Sequence, residues 1–142
     1  MNLRSFAFSL IALALPLAAQ AEYKLAPVGP GCGPKLNASF SDLGSHKRLE
    51  LPCTNLFPSE FGIIAYGASK VNIQFPDNCT LWTIPIFSHT FRSDALGTYD
   101  GGHAWPESIY AQVIVQVATF KFDANNQLVI KFTNAVQATH MP

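Results

Sequence analysis

Apolar and polar residues alternate over most of the chain after residue 34, with the two-residue period of β-strands. The clearest example is KVNIQF at 70–75, in which Val71, Ile73 and Phe75 alternate with polar residues. A strand with this pattern has one buried face and one wetted face, which is typical of antiparallel sheets. We therefore expect these three side chains to point towards the interior.

The same period recurs along the chain, and no segment shows the period of a capped helix. Turn sequences, DLGSH at 42–46 and DANNQ at 123–127, separate neighbouring strands. About eight short strands predict an all-β fold, a single antiparallel β-sandwich over residues 35–134, with a closed β-barrel as the alternative. The further strand segments are KLNASFS (35–41), KRLEL (47–51), IIAYG (63–67), TLWTI (80–84), FSHTFR (87–92), SIYAQVIVQVATFKF (108–122) and LVIKFT (128–133).

Three segments depart from simple alternation. Residues 26–34 (APVGPGCGP) are rich in proline and glycine, so the stretch 22–34 is predicted to be irregular. In the segment 108–122 the apolar parity shifts at Ala118–Thr119, which predicts a β-bulge or a corner between sheets. Residues 135–142 are predicted to be a frayed tail in which His140 faces solvent.

Residues 1–21 have the features of a secretory signal peptide. Arg4 supplies a positive charge, an apolar run spans 5–18, and AQA at 19–21 offers small residues for cleavage. The run is shorter than the roughly 20 residues that cross a bilayer, which favours a signal peptide over a membrane anchor. Export would bring residues 22–142 to the periplasm or the cell exterior, and no membrane span is expected in them.

The charge of the chain bears on its partners. The formal net charge is zero, charged residues make up 13% of the chain, and no run of like charge occurs. Nucleic acid and anionic membranes are therefore excluded as electrostatic partners. With 49% hydrophobic residues, the chain buries a full core and is expected to present an apolar face to a partner.

Three cysteines, Cys32, Cys53 and Cys79, would enter an oxidising compartment after export. One disulfide and one free thiol are expected there. Closing the longest loop is worth roughly 4 kcal/mol and closing either shorter loop roughly 3.5 kcal/mol, so loop entropy does not choose among the three pairings. A structural zinc site is disfavoured because the sequence has no C-x2-C pair.

Five short motifs follow one another along the chain: GCG (31–33), FGIIAYGAS (61–69), NCTLW (78–82), SDALGT (93–98) and IYAQVIV (109–115). In this order they resemble a group of small, uncharacterised secreted bacterial β-sandwich domains. The resemblance implies a secreted β-fold, and the group supplies no catalytic residue to assign to this chain. It also implies a disulfide between Cys32 and Cys79, which leaves Cys53 as a free thiol. The chain departs from the group in the Asp-Asn before Cys79 and in the additional Cys53.

The glycine-rich segment DALGTYDGGHAWPE (94–107) is the candidate site. Turn chemistry explains part of it, because Asp94 can bond its own backbone and Gly97 supplies a positive φ. The binding hypothesis is that aromatic rings in this loop hold a carbohydrate or a peptide by stacking, with polar neighbours as hydrogen-bond partners. The predicted ligand-binding residues are Tyr99, Asp100, His103 and Trp105. Trp82 lies within a strand pattern and is expected in the core.

Metal binding and catalysis are alternative hypotheses for the same segment. A metal ion would use Asp94, Asp100 and His103, although their spacing matches no compact metal-binding motif. For catalysis, the sequence has no G-x-S-x-G, H-E-x-x-H or phosphate-binding loop. Ser88 and His89 are adjacent in a strand and therefore point to opposite faces. No cofactor is expected.

The sequence thus predicts an exported, non-enzymatic binding or structural domain whose partner is an unknown carbohydrate or protein. Two alternatives stay open. One is a small secreted hydrolase or metal-dependent enzyme. The other is a self-assembling subunit that dimerises through Cys53 or through the edges of strands.

Overall fold

The computed structural model describes residues 22–105 and 108–142. The predicted signal segment, 1–21, lies outside the described residues. The described residues form one turn of 3-10 helix at Pro76–Asn78 and thirteen strands. The strands are β1 (Glu22–Gly29), β2 (Lys35–Leu36), β3 (Ser39–Asp42), β4 (Lys47–Glu50), β5 (Cys53–Thr54), β6 (Phe61–Gly67), β7 (Lys70–Phe75), β8 (Cys79–Thr83), β9 (Phe87–Arg92), β10 (Gly102–Trp105), β11 (Ala111–Phe122), β12 (Leu128–Phe132) and β13 (Ala135–Met141).

A six-stranded antiparallel sheet forms the centre of the fold. Its order is β1-β13-β11-β6-β9, and β12 also pairs with β11. Along one edge of β11 runs β6, while β13 and β12 share the other edge. The middle of β11, from Ile114 to Val117, is buried on both faces of the sheet. The strand with the longest apolar pattern in the sequence is therefore also the central one.

Three extended segments form a smaller second layer. Strands β3, β4 and β10 make a three-stranded sheet, and β2 pairs with β5. Backbone bonds continue these pairings, since the Leu51 N–H donates to Gly101 O at 2.7 Å and the Cys53 N–H donates to Tyr99 O at 2.8 Å. Residues 35–42, 47–54 and 99–105 therefore run together as one irregular layer.

The hydrophobic core lies between these two layers. Leu49 and Leu51, which the alternation places inward, are fully buried there, as predicted. Full burial of a side chain of this size contributes about 1.5–3 kcal/mol to folding. The buried members of the cluster are Leu36, Leu49, Leu51, Cys53, Leu56, Ile64, Tyr66, Phe91, Trp105, Val115, Val117 and Ala138.

The hairpin β7–β8 covers the opposite face of β11 and makes a third layer there. The side chain of Gln116 on β11, only 1% exposed, holds the hairpin in place. Its amide nitrogen donates to Thr80 O and to Thr133 O, both at 2.9 Å, and its amide oxygen accepts from the Trp82 N–H at 2.8 Å. Alternation alone places Gln116 on a wetted face, so this buried role was not predicted.

A β-bulge interrupts the neighbour of β11 beside Gln116. Gln116 and Val117 of β11 lie opposite three residues of the partner, 133–135, between β12 and β13. An extra residue of this kind bends a strand and breaks its ladder. The bulge predicted at Ala118–Thr119 is not found there, because β11 keeps unbroken register with β6 and β12 at both residues; the bulge lies in the partner strand, opposite Gln116 and Val117.

Side chains at the bulge replace the lost backbone pairing. The Thr133 hydroxyl accepts from the Val117 N–H at 3.0 Å. The Asn134 side chain accepts from the Leu36 N–H at 2.8 Å and donates to Leu36 O at 3.0 Å. Since Leu36 belongs to β2 of the second layer, the bulge also joins the two layers of the sandwich.

A disulfide joins Cys32 to Cys79, with Cα atoms 5.0 Å apart, and so fastens β8 to the segment after β1. The pairing implied by the resemblance is confirmed. A second link comes from Trp82, whose indole N–H donates to Pro30 O at 2.8 Å. Trp82 is therefore half-buried on the hairpin and not in the core, which corrects our expectation. A disulfide is compatible with an extracellular or periplasmic location.

The prediction of an all-β, antiparallel, sandwich-like fold is confirmed. Within residues 22–105 and 108–142 no sheet closes into a barrel, so the barrel alternative is wrong. No helix in these ranges is long and apolar enough to cross a membrane.

Ile73, one of the three side chains of β7 that were predicted to point inward, is exposed. Ile73 is exposed because β7 is the outer strand of a two-stranded hairpin and only its partner β8 packs closely on the large sheet. Leu128 is also exposed. It pairs with Phe122 at the end of β11, whereas β6 runs alongside β11 only as far as Thr119 and so does not cover this end of the sheet.

Both ends of the domain are strands, which corrects two predictions. Glu22–Gly29 forms β1 and is not irregular. Pro27 is tolerated in this strand because β1 lies at the edge of the sheet, where a missing N–H leaves no partner unsatisfied. Ala135–Met141 forms β13 and is not a frayed tail, because β1 and β11 pair with both of its edges. His140 is fully buried, not solvent-facing, and its Nδ1–H donates to Ile109 O at 2.8 Å.

Substitution of Gln116 measures how far the fold depends on its amide. We expect Gln116→Ala to lower the free energy of unfolding by at least about 3 kcal/mol, because three buried backbone groups lose a partner at roughly 1–3 kcal/mol each. Urea unfolding followed by tryptophan fluorescence measures the change. The matched control is Gln112→Ala, at an exposed position of the same strand, with an expected change below about 0.5 kcal/mol. Equal losses from both substitutions would contradict the role of Gln116.

Candidate functional site

A cleft of about 380 Å³ opens between the two layers on one side of the sandwich. On this side, β10 is the terminal strand of the second layer and faces β6 and β9, the last two strands of the large sheet. The start of β11 contributes the remaining wall. The lining residues are Leu49, Tyr66, Phe87, His103, Ala104, Trp105, Ile109, Ala111 and Val113.

Most of the cleft surface is apolar. Trp105 is buried at its base, and its indole N–H donates to Ile109 O at 2.9 Å, so the one polar atom of the ring is already satisfied. At the rim, Phe87 is 54% exposed and Ile109 is 50% exposed. An apolar concavity with exposed apolar residues at its mouth is typical of a ligand-binding site.

A cluster of four rings spans the open side of the sandwich. Tyr66 stacks on Phe87 with ring centroids 4.3 Å apart and planes inclined by 7°. The ring of His103 meets Tyr66 edge to face at 5.3 Å, and His89 meets His103 in the same way at 5.3 Å. The two imidazoles thus face each other from β9 and β10, the edges of the two sheets.

Two polar atoms of this cluster, the Tyr66 hydroxyl and His103 Nε2, are buried without a hydrogen-bond partner among the described residues. Such an atom costs roughly 1–3 kcal/mol, so a bound molecule that reaches it stabilises the protein. Burial raises the pKa of Tyr66 above its ordinary value. Burial, then the neighbouring His89 and Arg48, lower the pKa of His103. Both side chains are therefore predominantly neutral at neutral pH.

The structure separates the four predicted ligand-binding residues into two pairs. His103 and Trp105 line the cleft from β10. Tyr99 does not line it, because its ring packs against Phe91 with centroids 4.3 Å apart. Asp100 is exposed and also lies outside the cleft lining. The exposed platform of two aromatic rings that the binding hypothesis required is not formed, since Trp105 belongs to the core.

The three residues of the metal hypothesis are not arranged as ligands. Among the residues that the structure describes, no group of three or more His, Cys, Asp or Glu could hold a metal ion. The Asp94 carboxylate instead accepts from the backbone N–H groups of Leu96 and Thr98 and from the Thr98 hydroxyl, and these bonds lower its pKa. Asp94 therefore closes the turn, and the site built from Asp94, Asp100 and His103 is wrong.

Cys53 is the free thiol, and it is 1% exposed in the core. Its Sγ–H donates to Leu51 O at 3.4 Å. Burial raises the pKa of the thiol to about 12, so the nucleophilic thiolate is absent at neutral pH. Dimerisation through a Cys53 disulfide is therefore contradicted, because the sulfur is not accessible.

The sequence interpretation missed Tyr66 and Phe87, which form the large-sheet wall of the cleft. In the alternation they are ordinary members of apolar strands, and nothing in their spacing relates them to His103. They meet because β6 pairs with β9 in a register that sets Tyr66 opposite Phe87. The only feature of the sequence that could have pointed to this wall is the aromatic residue Phe87 at the exposed start of β9.

Comparison with protein-family models, with curated proteins and with solved structures found no match for this chain. The geometry of the cleft therefore carries the functional argument. The resemblance to secreted β-sandwich domains stays a prediction from the five motifs named above.

The reactivity of Cys53 tests its burial. We expect the thiol to resist iodoacetamide at about pH 8 in the folded protein and to react completely in urea, because only unfolding exposes it. Because its pKa is raised from 9.0 to about 12, the thiol stabilises the fold fully below pH 9 and progressively less as the pH rises from 9 to 12. Intact-mass spectrometry after timed alkylation measures the reaction. Rapid labelling of the native protein would contradict this account.

Proposed function

We propose that the protein is a secreted or periplasmic, non-enzymatic binding domain that holds the apolar part of a ligand in the cleft. The lining of the cleft carries this proposal, because only Tyr66 and His103 interrupt an otherwise apolar wall among the described residues. The predicted signal segment supports export, and a disulfide is compatible with either location outside the cytoplasm.

The volume of the cleft limits the size of the ligand that can bind in it. Ligand pockets typically measure about 300–1,000 Å³, so a cleft of about 380 Å³ suits a small molecule or one large side chain of a peptide. A carbohydrate is disfavoured, because sugars require several hydrogen-bond partners and the described lining offers two polar side chains. The favoured ligand is therefore an aromatic or branched aliphatic group.

The described lining of the cleft lacks the side chains that catalysis requires, and this favours a binding function. The described lining contains one imidazole and one phenol, and no carboxylate, thiol or serine hydroxyl. Nucleophilic catalysis needs a nucleophile next to a base, and glycoside cleavage needs paired carboxylates. Neither arrangement can be assembled from these residues.

Filling the cleft tests the proposal. Ala111 is half-buried and lines the cleft on the same face of β11 as Val113, so a larger side chain there occupies the cavity. We expect 2-naphthol to bind the native protein and Ala111→Phe to weaken that binding by about tenfold or more. Titration of the probe fluorescence gives both affinities.

The matched control for this test is Ala95→Phe, an equal enlargement at an exposed position of the turn outside the cleft. This variant should bind 2-naphthol as the native protein does. Absence of binding to the native protein, or equal weakening by both substitutions, would overturn the proposed function.

A second candidate function, self-assembly, is favoured by the edge strand β9. At the opposite end of the large sheet, β1 carries Pro27 and a register shift, two features that hinder pairing with another chain. In contrast, β9 pairs with β6 in unbroken register and contains one charged residue, Arg92. We infer that β9 of a second copy can extend the sheet.

Sedimentation velocity over a range of concentrations tests this second function. We expect a concentration-dependent dimer that Thr90→Lys weakens by about tenfold, because a lysine on an edge strand opposes pairing. The matched control is Ala26→Lys on the exposed edge strand β1, which should leave the dimer unchanged. A monomer at all concentrations would exclude assembly through β9.

A further inference from the structure

We propose that His103 determines the charge of the ligand that the cleft accepts: a neutral ligand when its imidazole is neutral, and a carboxylate of similar shape when the imidazole is protonated. The inference rests on the proposed binding function of the cleft. It assigns the selectivity for charge to one residue and makes that selectivity depend on pH.

The position of His103 is the first argument. The residue lies on β10, lines the cleft, and has its ring edge-on to Tyr66 and to His89, each at 5.3 Å. Its Nε2 atom is buried without a partner among the described residues. A change in the charge of this ring therefore occurs inside the apolar wall, where solvent screens it weakly.

The groups around His103 determine how a charge on it is balanced. From β9 it faces His89, and from β6 it faces the phenol of Tyr66. From β4 the nearby charge is that of Arg48. From β11 the cleft wall is formed by Ala111 and Val113, which carry no charge.

The carboxylate closest to this group along β4, Glu50, is already engaged. It forms an ion pair with Arg48 at 3.3 Å and accepts from the Ser41 hydroxyl at 2.6 Å. Among the described residues facing His103, none therefore offers a free carboxylate to an imidazolium. This is consistent with the lowered pKa of His103.

A bound carboxylate would supply the missing counter-charge. The ligand anion and the imidazolium stabilise each other, so anion binding takes up one proton from solvent at His103 and its affinity increases as the pH falls. A neutral ligand gains nothing from the proton. Instead it must share an apolar cleft with an unbalanced charge, so its affinity decreases over the same range.

Two probes of similar shape and different charge separate these cases. 2-Naphthol stays neutral and 2-naphthoate stays ionised between about pH 5.5 and pH 8. We expect the ratio of naphthoate to naphthol affinity to rise about tenfold or more as the pH falls from about 8 to about 5.5. Calorimetry in two buffers of different ionisation enthalpy should show proton uptake with naphthoate and proton release with naphthol, because naphthol favours the neutral imidazole.

Substitutions test whether His103 is the residue that takes up the proton. His103→Gln should remove the dependence of the affinity ratio on pH. His46→Gln, in the exposed turn between β3 and β4, is the matched control and should retain it. His89→Gln should shift the transition to higher pH, because a neighbouring group that opposes the charge on His103 is removed.

The outcomes distinguish this inference from the proposed function. If neither probe binds at any pH, both fail. If both probes bind but their affinity ratio is constant with pH, or if naphthoate binds without proton uptake, the cleft is a binding site and the role of His103 is overturned. Retention of the pH dependence in a folded His103→Gln variant also overturns it. The buffer comparison needs only the native protein, so the test does not depend on the variant folding.

Discussion

The amide of Gln116 is the interaction on which the arrangement of layers depends. It is buried at the centre of β11, where one donor group and one acceptor atom serve Thr80, Trp82 and Thr133 together. A carboxamide suits this position because it both donates and accepts, whereas a carboxylate only accepts and an aliphatic side chain does neither. Water cannot substitute freely at a site covered by the hairpin on one side and by strand partners on the others, so each backbone group there needs a partner within the protein.

The bulge beside Gln116 extends the same constraint to the second layer. Asn134 leaves the sheet ladder and bonds the backbone of Leu36, which ties β2 to the large sheet. With β2 fixed at one side of the layer, β10 is the terminal strand at the other and faces β6 and β9. The cleft lies along that terminal strand. It is therefore a product of the unequal widths of the two layers, five strands across against three extended segments, rather than of any one loop.

The candidate site shows which of its residues a sequence pattern can identify and which it cannot. The segment around His103 and Trp105 is conspicuous in the sequence because aromatic, acidic and imidazole side chains interrupt glycines, and both residues do line the cleft. The same reasoning also selected Tyr99 and Asp100, which serve the core and the surface instead. Composition identified an unusual segment, but it carried no information on which side chains share a cavity. Tyr66 and Phe87 were overlooked because aromatic residues within apolar strands are ordinary core residues in most sandwiches.

By itself the sequence determined the β class, the positions of most strands, the main turns and the inward faces of residues such as Leu49 and Leu51. These properties are local, because the alternation of side chains across a strand and the backbone preferences of turn residues act over a few positions. Only the tertiary structure decided that Glu22–Gly29 and Ala135–Met141 are paired strands, that Gln116 and His140 are buried, and that His103 meets Tyr66. Each of these depends on a partner distant along the chain. The pattern of one strand shows that it has a face to bury, but the register and order of the sheets decide what covers that face.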